Sequence, residues 1–124
     1  MSIQPCLNFE GRCEEAVAFY RRALGAEVTM LLRHEEIPDR VIHASFRIGE
    51  TTIIANDGRG TGRPSFDGFS LAITAPDGVK AGRIFAALGD GGTVRLPETR
   101  IPPAVDFGTV VDRFGVSWTV SVAA

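Results

Sequence analysis

Residues 5–28, PCLNFEGRCEEAVAFYRRALGAEV, decide the fold. In the opening of this stretch Leu7 and Phe9 alternate with Cys6 and Asn8, the two-residue period of a strand with one apolar face. From Gly11 the period changes. Cys13, Ala16, Phe19, Tyr20, Ala23 and Leu24 recur at spacings of three and four and make one stripe of an amphipathic helix. Glu14 and Glu15 occupy the first turn and Arg21 and Arg22 the last, so both ends complement the helix dipole. Gly25 supplies the stop. No side chain suited to an N-cap stands at the start.

The pattern returns downstream. Leu7 to Leu24 and Leu71 to Leu88 are equal spans, and both end in Ala-Leu-Gly, at Ala23-Leu24-Gly25 and Ala87-Leu88-Gly89. The second helix opens at Pro76-Asp77 and carries its stripe on Ala81, Ile84, Phe85 and Leu88. Gly82 inside it costs roughly 1 kcal/mol against Ala, so it reads as shorter and softer than the first. Ile48-Gly49 and Phe114-Gly115 each precede a closing strand. The offset between matching features is 64 to 66 residues, which indicates an internal repeat.

Strands fill the intervals. Ile42, Ala44, Phe46 and Ile48 alternate with His43, Ser45 and Arg47, and Gly49-Glu50 turns the chain into Thr51–Asn56. Further strands are predicted at Val28–Arg33, Phe69–Thr74, Thr93–Leu96, Phe107–Asp112 and Val116–Val122. The order is βαβββ, linker, βαβββ. The fold class is α+β, two tandem βαβββ modules forming a cupped mixed sheet with helices outside. One domain is expected, with module one at 1–58, a linker at 59–66 and module two at 67–124. Gly58, Gly60 and Gly62 superficially suggest a phosphate cradle. Pro64 and an aromatic strand follow instead of a helix, so the segment reads as a flexible linker.

Composition bounds the function. Thirteen basic residues are scattered among fifteen acidic ones for a net charge of −2, which argues against a nucleic-acid or anionic-membrane surface. No apolar run reaches the length of a bilayer span. Met1 to Phe9 lacks the pattern of a secretory signal. Cys6 and Cys13 make no disulfide framework, so the expectation is a cytoplasmic protein with two free thiols.

Taken together, PCLNFEGRCEEAVAFYRRALGAEV, HASFRIGETTIIANDG (43–58) and FGTVVDRFGVSWTV (107–120) resemble the PhnB-like branch of the vicinal oxygen chelate superfamily. That superfamily includes glyoxalase I, fosfomycin and bleomycin resistance proteins and extradiol dioxygenases. The most specific pieces are Leu7-Asn8-Phe9 with Gly11, Phe19-Tyr20, His43-Ala44 with Ile48-Gly49, and Asp112 with Phe114-Gly115 and Trp118. The resemblance implies a homodimer and a sheet cupped around a cavity. It also implies divalent-metal positions near Gln4, Ile54, Gly68 to Ser70, and Thr119. These offer one amide, apolar carbon and hydroxyls, whereas a catalytic site needs about three imidazole or carboxylate ligands. No metal and no cofactor is therefore expected. The loop Ile101-Pro102-Pro103-Ala104-Val105-Asp106 also departs from the aromatic, glycine-containing stretch of relatives, so their substrate preferences do not transfer.

Alternation selects the side chains that face away from the helices: Gln4, Asn8, His43, Ser45, Arg47, Asn56, Ser70 and Thr119. Such a lining suits a small polar or anionic molecule, with Arg47 as charge partner; the competing reading is a wetted sheet face. His43 is the candidate acid–base residue, against a purely structural histidine. His34, Glu35, Glu36 and Asp39 read as a solvated loop rather than a chelator. Cys6 reads as a half-buried thiol rather than a nucleophile, and Trp118 as core or dimer seam. Three functions remain open: a metal-free binding protein, a lyase or isomerase using His43, and a metal-dependent lyase or dioxygenase with misassigned ligands.

Overall fold

The helix over residues 13–24 forms where its apolar stripe meets the strands on either side of it in sequence. The computed structural model describes residues 1–95 and 105–123. They form two compact units, Met1–Pro64 and Ser65–Ala124. The first contains β1 (Cys6–Asn8), α1 (Cys13–Leu24), β2 (Glu27–Arg33), β3 (Val41–Ile48) and β4 (Thr51–Asn56). The second contains β5 (Leu71–Ala75), α2 (Gly78–Gly89), β6 (Thr93–Arg95), β7 (Val105–Val111) and β8 (Ser117–Val122). Each unit has one four-stranded mixed sheet, in the orders β1-β4-β3-β2 and β5-β8-β7-β6. The first and last strands of each unit pair in parallel, and the remaining pairs are antiparallel. The architecture is the α+β tandem βαβββ arrangement read from the sequence.

In the first unit α1 covers one sheet face. Leu7 of β1 and Phe9 just after it, Ala44 and Phe46 of β3, and Ile53 and Ala55 of β4 are buried beneath Cys13, Ala16, Val17, Phe19 and Tyr20. Tyr20 is the hub. Its ring lies 5.8 Å from Phe46 in a stacked arrangement and 6.1 Å from Phe9. Val17 belongs to this stripe although the sequence reading passed over it, while Ala23 and Leu24 are half-buried. At the C-terminus Gly25 adopts φ 66°, and the N–H groups of Gly25 and Ala26 donate to Arg21 and Tyr20 carbonyls, a Schellman-type close.

The missing N-cap is supplied from far along the chain. Asp57, just after β4, is 1% exposed. Its Oδ1 accepts from the Cys13 N–H and its Oδ2 from the Val41 N–H, each at 2.7 Å. One buried carboxylate thus starts α1 and anchors β3.

In the second unit, Asp112 does comparable work differently. Its Oδ1 accepts from the Phe114 and Val116 N–H groups, and its Oδ2 accepts from the Trp118 indole at 2.8 Å. This closes the β7–β8 turn and fixes Trp118, whose ring is buried with Val110, Val120 and Leu88. Asp77 caps α2 by accepting from the Lys80 N–H at 2.8 Å.

Several boundaries differ from the sequence reading. Both helices have 12 residues, so α2 is not shorter than α1. Strand β5 begins at Leu71, leaving Phe69 and Ser70 before it, and β7 begins at Val105, inside the segment read as loop. Leu96 and Ile101 to Ala104 lie outside the described residues. The face of β3 begins at Val41 rather than Ile42: the pairing shifts between Leu32–His43 and Arg33–Val41, and Ile42 is 51% exposed. The glycine segment is also fastened, not loose. Gly62 N–H donates to the Glu10 carbonyl at 2.6 Å, and Thr61 donates to the Glu10 carboxylate through its N–H and its hydroxyl. These bonds hold the Glu10 carboxyl below its usual range, the Thr61 backbone N–H contributing most.

Candidate functional site

Cross-strand pairs share a face, so the register identifies which side chains stand opposite α1. Ser45 pairs with Ile54 on one side and Met30 on the other, and Ile54 pairs with Cys6. His43 pairs with Leu32, and Arg47 with Thr52 and Glu27. Asn56 pairs with Asn8. The open face of the first unit thus carries His43, Ser45 and Asn56 at its centre. Met30 and Leu32, each 48% exposed, lie on the β2 side.

The β2 contribution was not legible beforehand. Between Val28 and Met30 the register slips by one residue, and Thr29 is left over, its hydroxyl donating to the Ser45 carbonyl at 3.2 Å. That bulge moves Met30 and Leu32 onto the open face. It also sends Arg33 to the helix side, where it forms a bidentate pair with Glu14 of α1 at 2.5 and 2.7 Å. The face is therefore amphipathic rather than uniformly polar.

The expected site residues divide as follows. His43 Nε2 lies 3.1 Å from Ser45 Oγ, and both side chains are half-buried. Asn56 borders them, its Oδ1 accepting from the Gly58 N–H at 2.9 Å and its amide nitrogen facing Cys6 Sγ at 3.8 Å. Asn8 fastens the chain: its Oδ1 accepts from the Glu10 N–H at 2.9 Å, and its amide packs against Gly58 so closely that a Cβ there would overlap it. Arg47 forms an exposed ion pair with Glu27 at 2.5 Å. It also lies four residues from His43, about 13 Å along the strand. Gln4 is exposed ahead of β1.

Ser70 and Thr119 belong to the second unit. Ser70 is exposed outside any strand. Thr119 is half-buried in β8, in a row with Ala72 and Thr109.

The His34 loop is not a chelating cluster. His34 Nδ1 accepts from the Glu36 and Ile37 N–H groups, both at 3.1 Å, so that nitrogen is committed to the backbone. Among the described residues no three His, Cys, Asp or Glu side chains converge as metal ligands would. The places that the resemblance implies for a metal hold an exposed amide at Gln4, carbon at Ile54, exposed Gly68 to Ser70 and a hydroxyl at Thr119. This donor set does not fit a divalent ion. Of the two thiols, Cys6 is exposed on the open face and Cys13 is buried. Burial, then the neighbouring Asp57 charge, pushes the Cys13 thiol up to about 12.

Comparison with known proteins matches the fold. Residues 1–121 match the family model described as 3-demethylubiquinone-9 3-methyltransferase. Protein YjdN of Escherichia coli K12 is 29% identical over 140 residues, covering 98% of this chain and 95% of its own. The PhnB protein of Bacillus cereus superposes with a TM-score of 0.85 at 28% identity, over 99% of this chain and 100% of that one. Protein PA1353 of Pseudomonas aeruginosa gives 0.84 at 30% identity, over 99% and 98%.

Proposed function

Because this chain belongs to the PhnB-like branch of the vicinal oxygen chelate superfamily, we propose that it binds a small organic molecule without a metal ion. The binding surface in this reading is the open face of the first unit's sheet. The observation that carries it is the make-up of that face: the half-buried His43–Ser45 pair and Asn56 set beside Met30, Leu32 and Ile54. A few placed polar groups within apolar surroundings are the usual lining of a small-molecule site. With Arg47 held by Glu27, the ligand suited to this face has an apolar body and neutral hydrogen-bonding groups.

Methyl transfer, which the family description names, is not part of this reading. A sulfonium or nucleotide donor is commonly cradled by a glycine-rich strand-to-helix turn. The corresponding turns here are Glu10-Gly11-Arg12 and Pro76-Asp77.

The test is a titration of small phenols and aromatic amides followed by backbone amide NMR. Shifts centred on Met30, Leu32, His43 and Ser45, weakened in His43→Ala, are expected. Shifts confined to other residues, or stoichiometric metal lost on mutating Gln4 or His43, would overturn the proposal. The hydrogen bond between His43 Nε2 and Ser45 Oγ favours a second reading. In that reading the same imidazole transfers a proton to or from the bound molecule, as in a lyase or isomerase. Turnover that survives His43→Ala would remove it.

A further inference from the structure

A hollow of about 320 Å³ opens at the end of the first unit's sheet, lined by His34, Arg40, Val41, Ile42, Asn56 and Gly58. It lies at the β2–β3 connection, and only Asn56 is shared with the face described above. Its polar groups are set by the backbone. The His34 N–H donates to the Arg40 carbonyl at 2.7 Å, which holds the two residues opposite each other. Because His34 Nδ1 accepts two backbone N–H groups, the neutral ring carries its proton on Nε2. Arg40 donates from Nη2 to the Gly58 carbonyl, and among the described residues no ion pair includes it. A guanidinium has five N–H groups, so most of its donors remain for a ligand.

The connecting loop is clamped as well. Arg40 N–H donates to the Ile37 carbonyl at 2.9 Å, and Arg33 reaches the Pro38 carbonyl at 3.4 Å while paired to Glu14. A guanidinium and an imidazole ring thus line the hollow on a fixed frame, with Ile42 as apolar wall. Such preorganisation lowers the entropic cost of binding.

We propose that this hollow binds a small organic carboxylate. Arg40 offers the forked donors that match a carboxylate, and His34 Nε2–H adds a neutral donor. One guanidinium balances one negative charge. The loop beside it carries Glu35, Glu36 and Asp39, which disfavour a dianion such as phosphate. The ligand's apolar part rests on Ile42. This site shares only Asn56 with the sheet-face reading and makes no use of His43.

The test is calorimetric and amide-NMR titration of the full chain with butyrate, benzoate and inorganic phosphate. Millimolar or tighter binding of both carboxylates is expected, with shifts at residues 34–42 and 56–58. Arg40→Gln should weaken it about tenfold or more, with Arg40→Lys intermediate. Arg40 also holds Gly58, so His34→Asn is the cleaner variant. Asn Oδ1 can replace Nδ1 as acceptor for the loop but offers no donor at the Nε2 position. Unchanged thermal stability with weakened carboxylate binding is the expected result. Absence of carboxylate binding, equal affinity in His34→Asn, or phosphate binding tighter than both carboxylates would overturn the proposal.

Discussion

Asp57→Ala should be among the most damaging single substitutions in the first unit. The carboxylate is 1% exposed and accepts from the Cys13 and Val41 N–H groups, both at 2.7 Å. A hydrogen bond to a charged partner contributes about 1.5–3 kcal/mol, and two give about 3–6 kcal/mol. Water entering the vacated space offsets part of this, so a loss of about 4 kcal/mol is expected. Total stability of a domain is about 5–15 kcal/mol, so the variant remains folded in buffer. In urea, with a slope of about 1.5 kcal/mol per molar, its midpoint falls by roughly 2–3 M. The assay is urea unfolding followed by far-UV circular dichroism. Trp118 fluorescence is the poorer probe, because that residue sits in the second unit. Asp57→Asn keeps the volume and one acceptor oxygen while opposing the other N–H with an amide, and should lose about half as much. Asp67→Ala, at an exposed loop position, should stay within about 0.5 kcal/mol of wild type. A loss below about 1 kcal/mol for Asp57→Ala would refute the idea that a distant carboxylate substitutes for the absent N-cap.

Four other outcomes are expected. In a thiol titration at neutral pH only Cys6 should react in the native protein and both cysteines in denaturant; rapid labelling of both in buffer contradicts the burial of Cys13. The native Cys13 thiol titrates at about 12 against an ordinary 9.0, so its stabilising effect is complete below pH 9.0 and drains away as pH rises toward 12. Cys13→Ala should flatten that alkaline loss in a stability profile. The Arg33 hydrogen bond holds the Glu14 carboxyl below its ordinary 4.5, so their coupling exists above that pH and disappears as pH falls through the lowered value. A Glu14→Ala, Arg33→Ala double-mutant cycle should give a small coupling at pH 7, as befits an exposed pair, and nothing at pH 2; an acid-insensitive coupling is the failing result. Finally, light scattering at micromolar concentration should give the mass of a two-fold homodimer, and a monomer mass counts against it.

The repeat, both helices and most strands were legible because their signals are local. The stripe from Cys13 to Tyr20, the Gly25 stop and the alternation of Thr51–Asn56 each lie within one element. What escaped the sequence reading depends on pairing between elements. The slip at Thr29 is set by how β2 meets β3, and it alone puts Met30 and Leu32 beside Ser45 and His43. Arg47 read as a free cation because Glu27 lies 20 residues away in sequence, yet the register places them side by side. Nothing in the sequence singled out Asp57. Its two backbone partners are 44 and 16 residues away, and the only hint was that α1 had no cap of its own.

The two units share an element order but have diverged in where they place polar chemistry. Among the described residues each buries one carboxylate. Asp57 ties three separated segments of the first unit together, whereas Asp112 accepts from Phe114, Val116 and the core tryptophan close by in sequence. Both histidines lie in the first unit, one on the open sheet face and one at the clamped hollow, while in the second the row of Ala72, Thr119 and Thr109 continues to Arg95 of β6. Both proposed sites draw on residues of the first unit. Substitutions at His34, Arg40 and His43 should change ligand behaviour, and a change at Trp118 or Asp112 should act through folding.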